Sequence, residues 1–278
     1  MEFIKINYEG PYNKEKKLEN KVLKVKNISI QEMINRDKHK EKVNFGEKRE
    51  LHIERYIEEF IKGQDMESRT SHSVKNSLYQ NNILDKYVYN EASFQHELAE
   101  YLMDRLSRID ENFVVQFERN IKDFGYSEEI DKNNKFKKRE IDIVIINQET
   151  NDKYAIELKY HYAKYGEIPD VMYNCIKDME FMYNCLELGF KQTYCVSVVE
   201  DKGFYKGKVK TGIYRFFRDE SPLTNKENEA FLQRKDVEVR NKSKINISHF
   251  KEGRLPIIWK NVDENLEGKY YILKFDKN

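Results

Sequence analysis

The chain has 278 residues, with 50 Lys and Arg against 49 Asp and Glu, for a net charge of +1. That length can bury a sizeable core, as one large domain or as one plus a smaller lobe. Near-neutrality excludes a global field drawing the chain to nucleic acid, so any such attraction must come from local clusters.

Residues 1–45 are polar and charge-rich, with scattered apolar positions. Residues 47–62 predict an amphipathic helix, because Ile53, Tyr56, Ile57, Phe60 and Ile61 align on one face and Gly63 follows. A second helix is expected over 71–84. Residues 1–88 therefore read as a mostly helical N-terminal segment, and residues 89–278 as the main domain. Asn90 is placed to cap a helix running to about Leu106, with Phe94, Leu98, Tyr101, Leu102, Leu106 and Ile109 as its apolar stripe. Glu97 lies at the edge of that stripe. Residues 113–119, FVVQFER, predict a strand.

Two β-branched runs come next, residues 138–146 and 153–160, joined by a short polar link, and they predict a β-hairpin. Side chains alternate faces along a strand. Glu140, Asp142, Val144 and Ile146 share one face; so do Ala155, Glu157 and Lys159. Facing strands lie about 4.8 Å apart, so Asp142 and Glu157 are placed to hold one divalent cation. Two carboxylates about 4 Å apart repel by roughly 4 kcal/mol at an effective dielectric of about 20. A metal, the Lys159 ammonium or solvent must offset that, and an ordinary salt-bridged hairpin fits the same residues.

Beyond the hairpin, Pro169 suits a first helical position. Met172, Cys175, Ile176, Met179, Tyr183 and Leu186 form a stripe that ends at Gly189. Asp178 and Glu180 lie off that stripe and are expected at the surface. Residues 192–199 predict a strand, and residues 211–217 and 269–275 predict strands that extend the sheet. Trp259 is expected to pack rather than to stack on a base.

Asp142 followed by Glu157-Leu158-Lys159 resembles the motif of the PD-(D/E)XK nucleases, with Ile141 where the family name has Pro. The order helix, three strands, helix, strand over roughly residues 90–200 resembles the same family. Phe94-Gln95-His96-Glu97-Leu98-Ala99 and Glu118-Arg119-Asn120 resemble an uncharacterised subfamily. The resemblance implies an α/β fold, a restriction-endonuclease-like αβββαβ core with a central mixed sheet flanked by helices. It implies a metal-dependent hydrolase of DNA phosphodiesters, with a part in restriction, defence or repair. Asp142, Glu157, the Leu158 carbonyl and Glu97 would bind Mg²⁺ or Mn²⁺, and Lys159 would serve the attacking water. An RNA nuclease, or a non-catalytic module binding nucleic acid or protein, remains the alternative.

Two basic clusters are candidates for the DNA contact. Lys137, Lys138 and Arg139 lead into the Asp142 strand, at the mouth of the expected site. Lys206, Lys208 and Lys210 lie among aromatic residues, which suits phosphates and stacking platforms, although those aromatics equally suit a core. His161, two residues after Lys159 on the same face, either touches a phosphate or ends the strand. The remaining histidines lack metal-ligand spacing, and His96 is expected to be exposed. Cys175, Cys185 and Cys195 lack C-x-x-C spacing, so neither a disulfide framework nor a zinc site is expected. No run approaches the roughly 18 apolar residues of a membrane span, and the first twenty residues lack the apolar run of a signal peptide. A cytoplasmic location without a membrane partner is expected, and a homodimer would suit double-strand cleavage.

Overall fold

The two β-branched runs form the antiparallel hairpin at the centre of the sheet, in the computed structural model. Its strands are Glu140–Asn147 and Lys153–His161. Asn147 shapes the turn, its side-chain oxygen accepting from the amides of Glu149 at 3.1 Å and Thr150 at 2.9 Å. This Asx arrangement is why a short polar link suffices. The residues described are 51–64, 72–80, 85–129, 131, 136, 138–162, 168–209, 212–218, 236–237, 245–246 and 257–277.

Among the described residues the α-helices are, in chain order, α1 (Ile53–Lys62), α2 (Val74–Tyr79), α3 (Glu91–Ser107) and α4 (Ile168–Cys185). The strands are β1 (Phe113–Asn120), β2 (Glu140–Asn147), β3 (Lys153–His161), β4 (Gln192–Val199), β5 (Asp236–Val237), β6 (Ile245–Asn246), β7 (Lys260–Asn261) and β8 (Lys269–Asp276). Six of them make a mixed open sheet in the order β1-β2-β3-β4-β8-β7, and β5 pairs with β6. The β3–β4 pair is parallel and the other pairs are antiparallel. A parallel pair needs a long crossover, and α4 lies within it. The fold is α/β, with helices on both faces of the sheet.

The two faces bury separate cores. Ile143, Ile145, Ile156, Leu158 and Tyr160 pack with α1 and α3 through Phe60, Phe94, Leu98 and Leu102. Val144, Ala155, Cys195 and Val199 pack with α4 through Met172, Cys175, Ile176 and Met182. Fully burying one such side chain contributes roughly 1.5–3 kcal/mol. The expected Asn90 cap forms: its side chain accepts from the Ser93 amide at 2.8 Å, and Ser93 Oγ accepts from the Asn90 amide at 3.0 Å. Gly63 ends α1 in the left-handed region at φ 60°, where a Cβ would meet Ser73 Oγ at 2.8 Å.

Several boundaries differ from expectation. Helix α1 begins at Ile53, after a His52 whose side chain makes no capping bond, and residues 47–50 lie outside the described set. Helix α2 starts after Ser73, whose side chain caps it by accepting from the Asn76 amide at 3.1 Å, and ends before an extended Gln80, while residues 71 and 81–84 of the expected helix lie outside the described residues. Residues 212–216 form a 3-10 turn rather than a strand, and Ile213 and Phe217 bury on the α4-side core. Strand β8 forms as expected and pairs along the whole length of β4. Trp259 packs on Tyr271 at 5.2 Å and donates to the Phe217 carbonyl at 2.7 Å. Among the described residues no helix is long and apolar enough to cross a membrane.

Candidate active site

The β2–β3 ladder stops at Ile143 opposite Ile156. Continued in register, it would next set Asp142 opposite Glu157. Asp142 instead turns its carboxylate into the ladder: Oδ2 accepts from the Leu158 amide at 2.7 Å. The pleat changes there too, for Ile141 packs in the same core as Val144, while Ile143 packs in the opposite one. Gln95 of α3 holds the Asp142 carbonyl at 2.6 Å and donates to Glu118 Oε1 at 2.9 Å. Asp142 is thus tied through both its carboxylate and its backbone.

Glu157 is 0 % exposed. The Lys138 ammonium bonds Glu157 Oε1 and lies 3.4 Å from Asp142 Oδ1, so both carboxylates converge on one cation. The Lys159 ammonium lies 3.0 Å from Glu91 Oε1, 3.3 Å from Asp178 Oδ2, 3.9 Å from Glu157 Oε1 and 3.0 Å from the Leu158 carbonyl. Four carboxylates and two ammonium groups leave a formal charge of −2 when all are ionised.

That imbalance appears in the acidities. Burial pushes Glu157 well above the usual carboxylate range; Asp178 and Asp142 add to the effect, and the two lysines oppose it. Burial also raises Asp178 and Glu91, against the pull of Lys159. Burial alone would lower Lys159, but Asp178, Glu91 and Glu157 together raise it above its ordinary value. Lys138 is raised in the same way by Glu157, Asp142 and Asp178 against its own burial. Both lysines stay charged at neutral pH. Lys159 is therefore a fixed positive charge and a poor acceptor for a water proton.

A hard divalent cation fits this set. Glu157 Oε2 is buried without a hydrogen-bond partner, the donors are carboxylate oxygens, and the formal charge matches. Mg²⁺ commonly takes one or two carboxylates and completes its shell with water and substrate oxygens. Among the described residues no three or more His, Cys, Asp and Glu side chains stand grouped to hold a metal. The Leu158 carbonyl, an expected ligand, already accepts from Lys159.

The other expected site residues are distributed unevenly. Glu97 is not brought to the triad: its Oε2 lies 2.7 Å from His72 Nδ1. Glu91, the first residue of the same helix, meets Lys159 instead. Lys138 turns inward to the carboxylates. Arg139 lies over the Tyr126 ring at 4.5 Å. Lys137 and Lys210 lie outside the described residues. Lys206 and Lys208 are exposed, while Phe204, Tyr205 and Phe217 are buried in the core. Arg218 is buried, donating to the Gly203 carbonyl at 2.7 Å. His161 ends β3, buried against Phe204 at 4.7 Å, and that burial lowers its pKa. His96 is exposed as expected. All three cysteines are free and buried.

Asp178 corrects the expectation of a surface charge, because it is buried against Lys159. The signal was present in its spacing. Asp178 lies three residues after Cys175 and four before Met182, which puts it on the face that α4 buries. Glu91 carried a comparable signal: it is one turn before Gln95 on the same helix face.

No family model, curated protein or solved structure matches this chain.

Proposed function

We propose that the chain is a metal-dependent nuclease that hydrolyses DNA phosphodiesters at Asp142, Glu157 and Lys159. The observation that carries this reading is the convergence of the Asp142 and Glu157 carboxylates on a single cation, where the β2–β3 ladder ends. The order α3-β1-β2-β3-α4-β4 around them supports a restriction-endonuclease-like core, and the preference for DNA rests on the sequence resemblance. Asp142 and Glu157 would hold Mg²⁺ or Mn²⁺, which acidifies a bound water and stabilises charge on the phosphoryl oxygens. Lys159 supplies a permanent positive charge beside Glu157, suited to orienting the nucleophile and countering phosphoryl charge. Glu91 and Asp178 act through Lys159 as positioning residues. Asp142, tied to Leu158 and Gln95, keeps the first carboxylate in place before substrate arrives.

One observation favours a second reading. Lys138 already stands between Asp142 and Glu157, as it would in a structural ion-pair network on a non-catalytic module. The test incubates the protein with supercoiled plasmid, linear duplex, single-stranded DNA and RNA, in Mg²⁺, Mn²⁺ or EDTA. Metal-dependent DNA cleavage that disappears in Lys159→Ala is the expected result. Absence of cleavage throughout, together with DNA binding in EDTA, would replace the nuclease by the binding module.

A further inference from the structure

We infer that Lys138 is an internal counter-ion of the two-carboxylate site, and that a divalent cation enters by displacing its ammonium from between Asp142 and Glu157. The inference rests on the metal site proposed above and assigns a role to a residue outside the triad.

Two observations carry it. The Lys138 ammonium contacts the same two carboxylates that would hold the metal, bonding Glu157 Oε1 with Asp142 Oδ1 3.4 Å away. An ammonium and a metal ion cannot share that point. Glu157 is fully buried, and although the Lys138 and Lys159 ammonium groups both face its Oε1, its Oε2 has no partner, so the pair is left incompletely compensated. A cation of higher charge is the better match for two hard carboxylates.

The two lysines differ in how easily each can yield. Lys159 stands inside β3, gripped by Glu91, Asp178 and the Leu158 carbonyl. Lys138 precedes β2 and spends no strand pairing on its position. Its side chain is 34 % exposed, against 0 % for the Glu157 carboxylate it reaches. Its stem therefore runs from solvent to the buried pair, and the ammonium can withdraw along it. The chain next to it stays anchored, because the Arg139 carbonyl accepts from the Ile121 amide at 2.8 Å. Displacement needs only side-chain rotation.

A charge-assisted bond that must break before metal binds weakens the apparent affinity by roughly ten- to a hundredfold. Removing the ammonium returns that factor. The test measures Mn²⁺ affinity by the electron paramagnetic resonance of free Mn²⁺, for wild type, Lys138→Met and Asp142→Asn. In parallel, acetylation of the Lys138 amine in wild type is followed by mass spectrometry with and without Mn²⁺. Lys138→Met should bind roughly ten- to a hundredfold tighter, acetylation of Lys138 should rise several-fold with Mn²⁺, and Asp142→Asn should abolish binding. Wild-type binding of Mn²⁺ with no gain in Lys138→Met and no change in acetylation would overturn the counter-ion role and leave the metal site standing. No Mn²⁺ binding by either protein would overturn both. Where Lys138→Met fails to fold, the wild-type acetylation experiment decides alone.

Discussion

Asp142 is where the structural and chemical roles of the site can be separated. Its Oδ2 takes the Leu158 amide at 2.7 Å, replacing the bond that a continued ladder would have made. Asp142→Ala removes a charged acceptor and leaves a buried N–H unpaired, a loss of about 1–3 kcal/mol. Relief of repulsion with Glu157 offsets part of that, so about 2 kcal/mol is expected. Asp142→Asn keeps an oxygen for the Leu158 amide and should cost at least about 1 kcal/mol less. For a protein of this size, about 2–4 °C accompanies each kcal/mol, so Ala should lower Tm by about 4–8 °C and Asn by clearly less. Thermal and urea unfolding in EDTA would measure this, with plasmid cleavage in Mg²⁺ run beside them. Both variants should lose cleavage, because each removes a carboxylate oxygen from the cation. Equal destabilisation by Ala and Asn would refute the strand-capping role. Metal-dependent cleavage retained by either variant would refute the metal-ligand role.

On the first helix, Glu97→Gln should leave most cleavage intact, since Glu97 pairs with His72, whereas Glu91→Gln should reduce kcat by releasing Lys159; steady-state kinetics on one plasmid substrate compares them. Glu58 joins α1 to β7 and β8 through Lys260 at 3.1 Å and Tyr270 at 2.7 Å. Burial would raise Glu58, but bonds from Lys62, Tyr270 and Lys260 outweigh it and hold the pKa down at about 2. A lowered folded pKa means stabilisation that is present above the ordinary 4.5 and is lost as pH falls toward 2. Glu58→Gln should therefore flatten the fall of Tm across that window. Burial pushes the Cys175 thiol up to about 12 and raises Cys185 and Cys195 as well. Iodoacetamide at pH 8 should leave native protein unlabelled and modify all three cysteines in urea, as read by intact mass.

The hairpin was legible because two separate cues agreed, β-branched runs and a polar link whose Asn147 makes the turn. Helix α3 was legible from its Asn90 cap and apolar stripe. What sequence could not settle was decided by tertiary partners. Residues 211–217 have strand-forming composition, yet residues 212–216 form a 3-10 turn with Ile213 and Phe217 buried in the core. Asp178 lies on a buried face, and Lys159, arriving from the sheet, with help from Lys138, offsets the cost of its burial. Lys138 belongs to a basic run that suits a phosphate surface, but its ammonium answers Glu157 inside the fold. Strand periodicity put Glu157 beside Lys159 on β3, but not Asp142, which reaches the site where the ladder ends and the pleat changes. Glu91 and Asp178 come from two other elements, and helical spacing gave their faces without giving Lys159 as the shared partner.

Strand β8 is inserted between β4 and β7 rather than added at a margin. During synthesis β4 must wait, with a row of unpaired amides and carbonyls, until residues 269–276 leave the ribosome. Nascent chains that stall short of them would present Val196 and Val198 on an open edge, a template for pairing with another chain. Self-association should therefore be most acute for fragments ending just before β8, and a co-expressed holdase should help those fragments far more than the full chain.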